Sequence, residues 1–430
     1  MLDSDSRWHL PRTSSALGDI HSDFEMTSET SQPASSTPIA SVPCNGRSKG
    51  SYGLSIDLSV QQAVASLLKE PRFLRLVRVF AKDRAPSLLE AASRSQTETE
   101  FQRTLGAELL QLILDATSKR TEVRGTEHLA DLPACLYISN HRDIFLDSAL
   151  LNGELLRRHK PIPHVIIGAN LLQSTWLTPF YRLCKAVVVQ RDLKGKELFE
   201  HSLKLSEYVR STITTGDPVW IAQRAGRTKD GVDRTEPALL RMLLLAYERG
   251  PVSTTPFYVA PIAVSYEIEP CDVFKAAAVL GANTKNASKD RARNDAANIL
   301  RGLVQPKGRI CLTIRPPIVL DNSEARAGNR ADKIAELASQ VDREISNGYV
   351  IWPTNYIASD LLSGDGAYAA HYDANEKQSF VDYVERRARE IEAPADEARG
   401  ALLSLYARPL SAEPANKSNP CAAAPLPKRN

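Results

Sequence analysis

Between about residues 120 and 320, short apolar runs alternate with helical patterns, and this alternation narrows the fold more than any other feature of the chain. The runs are Leu136–Ile138, Val165–Ile167, Ala186–Val189, Val219–Ala222, Ala260–Val264 and Ile310–Ile314. Their lengths suit strands, and their unbroken apolar character suits a sheet that is mostly buried. Helical periodicity fills the gaps, as in Phe199–Val209 and Leu239–Tyr247. The order predicts an α/β fold over 120–325, with a mixed central sheet flanked by helices.

The flanks predict helical N- and C-terminal extensions over 54–119 and 326–408. Val60, Val64, Leu67 and Leu68 repeat at helical spacing as far as Pro71, which stops or kinks that helix. Phe73, Leu76, Val77 and Phe80 follow, with Arg72, Arg75, Arg78, Lys82 and Arg84 between and after them. This stripe fits two situations, a core-packed helix with a basic rim or a helix lying on an anionic membrane surface. Leu105, Leu109, Leu112 and Ile113 mark another helix, and Ala331–Ile345 and Phe380–Ile391 two more. The ends are expected to be disordered, over 1–53 and 409–430. Eight of the fifteen residues from Thr27 to Ser41 are Ser or Thr, which is too little apolar surface to offset the entropy of ordering.

Charge and cysteine usage exclude several classes. Lys plus Arg number 54 and Asp plus Glu 51, a net +3 that argues against a dedicated nucleic-acid surface. The six cysteines form no C-x-x-C pair and the histidines show no ligand spacing, so neither a metal site nor a disulfide scaffold is expected. No apolar stretch reaches 18 residues, which disfavours a spanning helix and leaves peripheral attachment open. Asp3, Asp5 and Arg7 precede no apolar core, so no signal peptide is expected.

The chemistry concentrates at strand ends. After the run Leu136–Ile138 comes Ser139-Asn140-His141-Arg142-Asp143, and a helical stretch begins near Ile144. His141 therefore falls at a strand's carboxyl end, where α/β sheets tend to bind ligands. An imidazole beside a carboxylate makes a general base at neutral pH, and Asp143 and Asp147 are both candidates for the carboxylate. In a regular helix six residues span about 9 Å, so Asp147 reaches His141 only if the turn folds back. Arg191 follows the run Ala186–Val189. Arg224, Arg227 and Lys229 follow Val219–Ala222, with Gly226 and Gly231 among them. Arginine forks and glycine-exposed amides suit a phosphate, although the spacing is not that of a P-loop. A solvated basic loop fits the same residues.

Taken in order, these blocks resemble the glycerophospholipid acyltransferases, which include glycerol-3-phosphate and lysophosphatidate acyltransferases. Asn140-His141 followed by Asp147 is similar to that family's first motif, with one extra residue in the spacing. Ala186 to Arg191 resembles its second block, Gly226-Arg227-Thr228-Lys229-Asp230-Gly231 its third, and Val259-Ala260-Pro261-Ile262 its fourth. Ala225 stands where the family usually has glutamate.

The resemblance implies transfer of a fatty acyl group from acyl-CoA or acyl carrier protein to a hydroxyl of glycerol 3-phosphate or 1-acylglycerol 3-phosphate. No cofactor and no metal is implied. His141 is then the base, oriented by Asp147 or Asp143. Arg191, Arg224, Arg227 and Lys229 are candidates for the acceptor phosphate. Ile167, Leu171, Leu172, Trp176 and Phe180 are candidates for an acyl-chain groove, and core packing accounts for them equally well. A cytoplasmic chain touching the inner face of an anionic membrane is the matching expectation. The basic segment 285–309 suits such a surface, or a solvated helix face. A weak or inactive relative that binds lipid or acyl carrier is the alternative.

Overall fold

A computed structural model describes residues 54–190, 192–249, 256–284, 291–320 and 330–411. Residues 1–53 and 412–430 of the expected disordered ends, Arg191 and residues 285–290 of the basic segment lie outside the described residues, and the side chains of 291–297 are not described, while residues 409–411, expected in the tail, instead end a helix, Ala395–Ser411.

Among the described residues, eight strands form one mixed sheet: β1 (Ser118–Arg124), β2 (Leu136–Ser139), β3 (His164–Gly168), β4 (Ala186–Val189), β5 (Val219–Ala222), β6 (Phe257–Tyr266), β7 (Gly308–Ile314) and β8 (Ile318–Leu320). Their order is β1-β7-β6-β2-β5-β3-β4, with β8 paired to β6. Strands β2 to β6 run parallel to one another, whereas β7 and β8 are antiparallel to β6. The carboxyl ends of five strands therefore share one edge, and the polar segments named above leave the sheet there. The sequence expectation missed β1 and β8. The first reads Ser-Lys-Arg-Thr-Glu-Val-Arg and has no fully buried residue, and the second is three residues long, so neither carries an apolar run.

Side-chain alternation sends each strand's residues into two different cores. Along β6, Ala260, Ile262, Val264 and Tyr266 face one core and Val259 and Ala263 the other. The N-terminal helices cover the first face: α1 (Val60–Leu67), α2 (Pro71–Ala81), α3 (Ala85–Ser93) and α4, which runs from Glu98–Phe101 through a π turn into Ala107–Thr117. Helices α5 (Leu146–Arg157) and α6 (Thr178–Leu183) pack with them. The second face is covered by α7 (Gly195–Thr214), α8 (Pro237–Arg249) and, beyond α9 (Asp272–Leu280) and α10 (Arg291–Val304), α11 (Arg330–Gly348). A third core joins α9 to α12 (Pro353–Ser363), α13 (Ala374–Ala388) and α14 (Ala395–Ser411).

Local signals explain the helix starts. Pro71 begins α2 rather than kinking α1, because a first-turn proline forfeits no helical hydrogen bond. Ser59 with Gln62, and Thr97 with Glu100, form capping boxes. Phe73, Leu76, Val77 and Phe80 of α2 are all buried in the first core. Of the two situations this stripe fitted, the structure adopts core packing, and what α2 leaves at the surface is its basic rim.

Candidate active site

The segment after β2 is a folded-back turn organised by one carboxylate. Asp147 Oδ2 accepts from the Arg142 N–H at 2.7 Å and the Asp143 N–H at 2.9 Å. The same oxygen lies 3.2 Å from His141 Nδ1. Asp147 Oδ1 accepts from the Tyr266 hydroxyl at 3.0 Å. Helix α5 begins at Leu146, later than the sequence suggested, and those extra non-helical residues let the chain double back so that Asp147 meets His141. Asp147 is fully buried, and its four contacts hold it as an oriented carboxylate.

Asp143 does something else. Its Oδ1 accepts from the Phe145 and Leu146 N–H groups, both at 2.8 Å, so it caps the start of α5. Burial, and then the nearby Asp147 charge, push its carboxyl above the usual range, while Arg227 acts against them. The structure thus brings Asp147, and not Asp143, to the imidazole. With Nδ1 turned to the carboxylate, Nε2 is the ring nitrogen that Asp147 does not engage.

Asp233 ties the neighbouring loop to this turn. It accepts from Asn140 Nδ2 at 3.0 Å, Arg142 Nη2 at 2.7 Å and Thr228 Oγ1 at 2.6 Å. Asn140 also pairs with the backbone of Val264 in both directions, which pins the turn to β6. The Thr228 N–H donates to the His141 carbonyl at 2.7 Å, so the basic loop lies directly against the histidine. Gly231 must be glycine: its φ is +82°, and a Cβ there would meet the Leu405 carbonyl of α14 at 2.5 Å.

A cleft of about 910 Å³ opens on His141 at the carboxyl edge of the sheet. Arg224, Ala225, Gly226, Arg227 and Lys229 line it. Arg224 Nε and Arg227 Nη1 are buried without a hydrogen-bond partner, so both guanidinium groups have donors to offer an anion. Lys229 is exposed at the same wall, and Ala225 is exposed too. Glu236 is a carboxylate on the cleft wall, contributed by the loop before α8.

A narrow apolar pocket of about 70 Å³ shares Ile144, Val165, Ile167 and Leu171 with the cleft and continues between α4, α5 and α6. Phe180, Ala149 and Leu110 line it farther in. Of the groove candidates, Ile167, Leu171 and Phe180 therefore line this pocket. Leu172 and Trp176 line neither space. Both pack against the first core, and Arg72 sits 5.5 Å over the Trp176 ring.

Sequence reasoning missed Arg142, Asp233 and Tyr266. Asp233 sits beyond Gly231 in a loop with no periodicity, and Tyr266 ends a strand whose pattern marks it as core. Arg142 stands beside His141 in sequence, but its carboxylate partners, Asp233 and Glu269, are distant in the chain. Among the described residues, no group of three or more His, Cys, Asp or Glu is placed to hold a metal ion.

Residues 120–265 match the family model described as Acyltransferase. The matched segment is about a third of the chain. No curated protein matches the chain. Among solved structures, the chain is similar to the 1-acyl-sn-glycerophosphate (LPA) acyltransferase of Thermotoga maritima, at 12% identity and a TM-score of 0.35, over 65% of this chain and 92% of that one. A likeness that slight carries no weight for substrate or site.

Proposed function

We propose that the chain transfers a fatty acyl group from a thioester, acyl-CoA or acyl carrier protein, to a hydroxyl of glycerol 3-phosphate or 1-acylglycerol 3-phosphate. The observation that carries this reading is the Asp147–His141 pair, at 3.2 Å, opening on a cleft that also holds unpartnered guanidinium donors. His141 Nε2 takes the proton of the acceptor hydroxyl as its oxygen attacks the thioester carbonyl. The carbon–sulfur bond then breaks, and the imidazolium returns the proton to the leaving thiolate. Asp147 orients the ring and stabilises its protonated form, an arrangement worth about 10²–10⁴-fold in rate. Arg224, Arg227 and Lys229 hold the acceptor phosphate and set the hydroxyl against the base. Arg191 is assigned with them from sequence alone. The narrow apolar pocket takes the acyl chain.

No helix among the described residues is long and apolar enough to cross a membrane. Peripheral contact with an anionic, inner membrane face, through the basic rim of α2, fits a lipid product and predicts that anionic vesicles sediment the chain.

Thioester release with each acceptor tests the reading. His141→Ala should lose at least about 100-fold in turnover, and Arg227→Ala should raise KM for a phosphorylated acceptor. Full turnover in His141→Ala would overturn the site. Ala225 supports a second reading, a weakened relative that binds lipid or acyl carrier, because the position opens on the cleft without a carboxylate. A large gain in Ala225→Glu would favour it.

A further inference from the structure

The peptide unit joining Arg142 to Asp143 is gripped at both ends. Its carbonyl oxygen accepts from the Lys275 ammonium at 2.6 Å, and its N–H donates to Asp147 Oδ2 at 2.9 Å. That Oδ2 is the oxygen facing His141 Nδ1. A cation at the oxygen end of an amide polarises it and strengthens the N–H as a donor. Lys275 lies on α9, is fully buried, and pairs with Glu269 at 2.5 Å. Glu269 also faces Arg142 Nη1 at 3.5 Å, and its N–H donates to the Tyr406 hydroxyl of α14 at 3.1 Å. Tyr406 in turn donates to Asp272, which Arg387 of α13 binds at 2.8 Å.

An ammonium with no exposed surface is expensive to bury, and its buried neighbours on α9 are Val273, Ala276 and Ala277 with one carboxylate, Asp272, that Arg387 already binds. Apolar packing alone gives no reason for a lysine here, whereas the Arg142 carbonyl does. The geometry points to Lys275 as a positioning residue for acyl transfer, acting on His141 through the Arg142–Asp143 peptide and Asp147. This rests on His141 being the base proposed above.

Several charged groups face the histidine. Asp147, Asp143 and the Tyr266 hydroxyl lie on the buried side, and Arg224, Arg227, Lys229 and Glu236 on the cleft. Arg142, next in the chain, pairs with Asp233, and Arg241 and Arg330 also line the cleft. The Lys275–Glu269 pair lines no part of the cleft.

The sign of each change follows from charge. Lys275 disfavours the imidazolium, so Lys275→Met should move the acid limb of the pH–rate profile to higher pH. Glu269→Gln leaves the cation uncompensated and should move it to lower pH. Each shift should be about 0.3–1 unit, and the double variant should lie between the two. An NMR titration of the His141 ring in the full chain should show the same order. Opposite shifts support the assignment. Unchanged midpoints, or shifts in one direction only, overturn it. If Lys275→Met does not fold by circular dichroism, the direction in Glu269→Gln decides alone. The NMR readout needs no substrate, so absence of thioester release in the wild type would sink the proposed function while leaving the test of Lys275 standing.

Discussion

The two helical flanks look alike in sequence and do different work in the fold. The N-terminal helices meet the sheet through aliphatic and aromatic side chains, among them Leu67, Val77, Leu105 and Ile113, and the narrow pocket lies among them. The C-terminal helices reach the candidate site through buried ions and hydroxyls: Arg387 and Tyr383 on Asp272, Tyr406 on Glu269, and Glu269 on Lys275 and Arg142. Apolar packing is non-directional and tolerates small shifts of shape. A buried ionic network has one good geometry and fails when a member is lost. The first flank thus shapes a space, and the second fixes a position.

Variants that separate the flanks sharpen this contrast. The largest effect is expected from Asp272→Ala, which removes the buried carboxylate shared by Arg387, Tyr383 and Tyr406 and leaves Arg387 with Glu390. It should cost about 3–5 kcal/mol in denaturant unfolding and also lower turnover per folded molecule. Leu105→Ala, at a fully buried position of the other flank, should cost about 2–5 kcal/mol yet leave turnover per folded molecule unchanged. If both lowered turnover alike, the contrast would fail. Ala149→Leu partly fills the narrow pocket and should shift preference toward shorter acyl donors by roughly 10-fold, read as the ratio of kcat/KM for two chain lengths.

A smaller effect comes from a buried amine where the N-terminal flank joins the sheet. Lys307 donates to Thr117 Oγ1 at 2.8 Å, and burial pushes its ammonium down to about 7, with the Asp143 charge opposing. Between about 7 and 10.5 the folded protein holds fewer protons there than the unfolded chain, so stability rises with pH across that window. Lys307→Met should flatten that rise in a series of Tm measurements. An unchanged slope would remove Lys307 as its source.

Much of this was legible in the sequence because burial writes itself into apolar runs. Strands β2 to β7 carry such a run, several flanking helices carry its periodic counterpart, and the strand-end blocks placed His141 and the basic loop at one edge. The polar strand β1 and the short β8 carried no such signal. The choice between Asp143 and Asp147 was also hidden, since it depends on where α5 starts and on two backbone N–H groups that no side-chain pattern encodes. Asp233 and Lys275 were invisible for a related reason. Their partners lie 93 and 133 residues away from them in sequence, and only the packed fold brings those charges together.

The central claim is that Asp147, and not Asp143, serves His141 in acyl transfer. Thioester release at saturating donor, measured for Asp147→Asn and Asp143→Asn beside the wild type, tests it most directly. Asp147→Asn should fall by at least about 100-fold. Asp143→Asn keeps a side-chain oxygen for the helix cap and removes a buried charge, so it should stay within about 5-fold. The reverse order, or equal losses in two folded variants, would contradict the account.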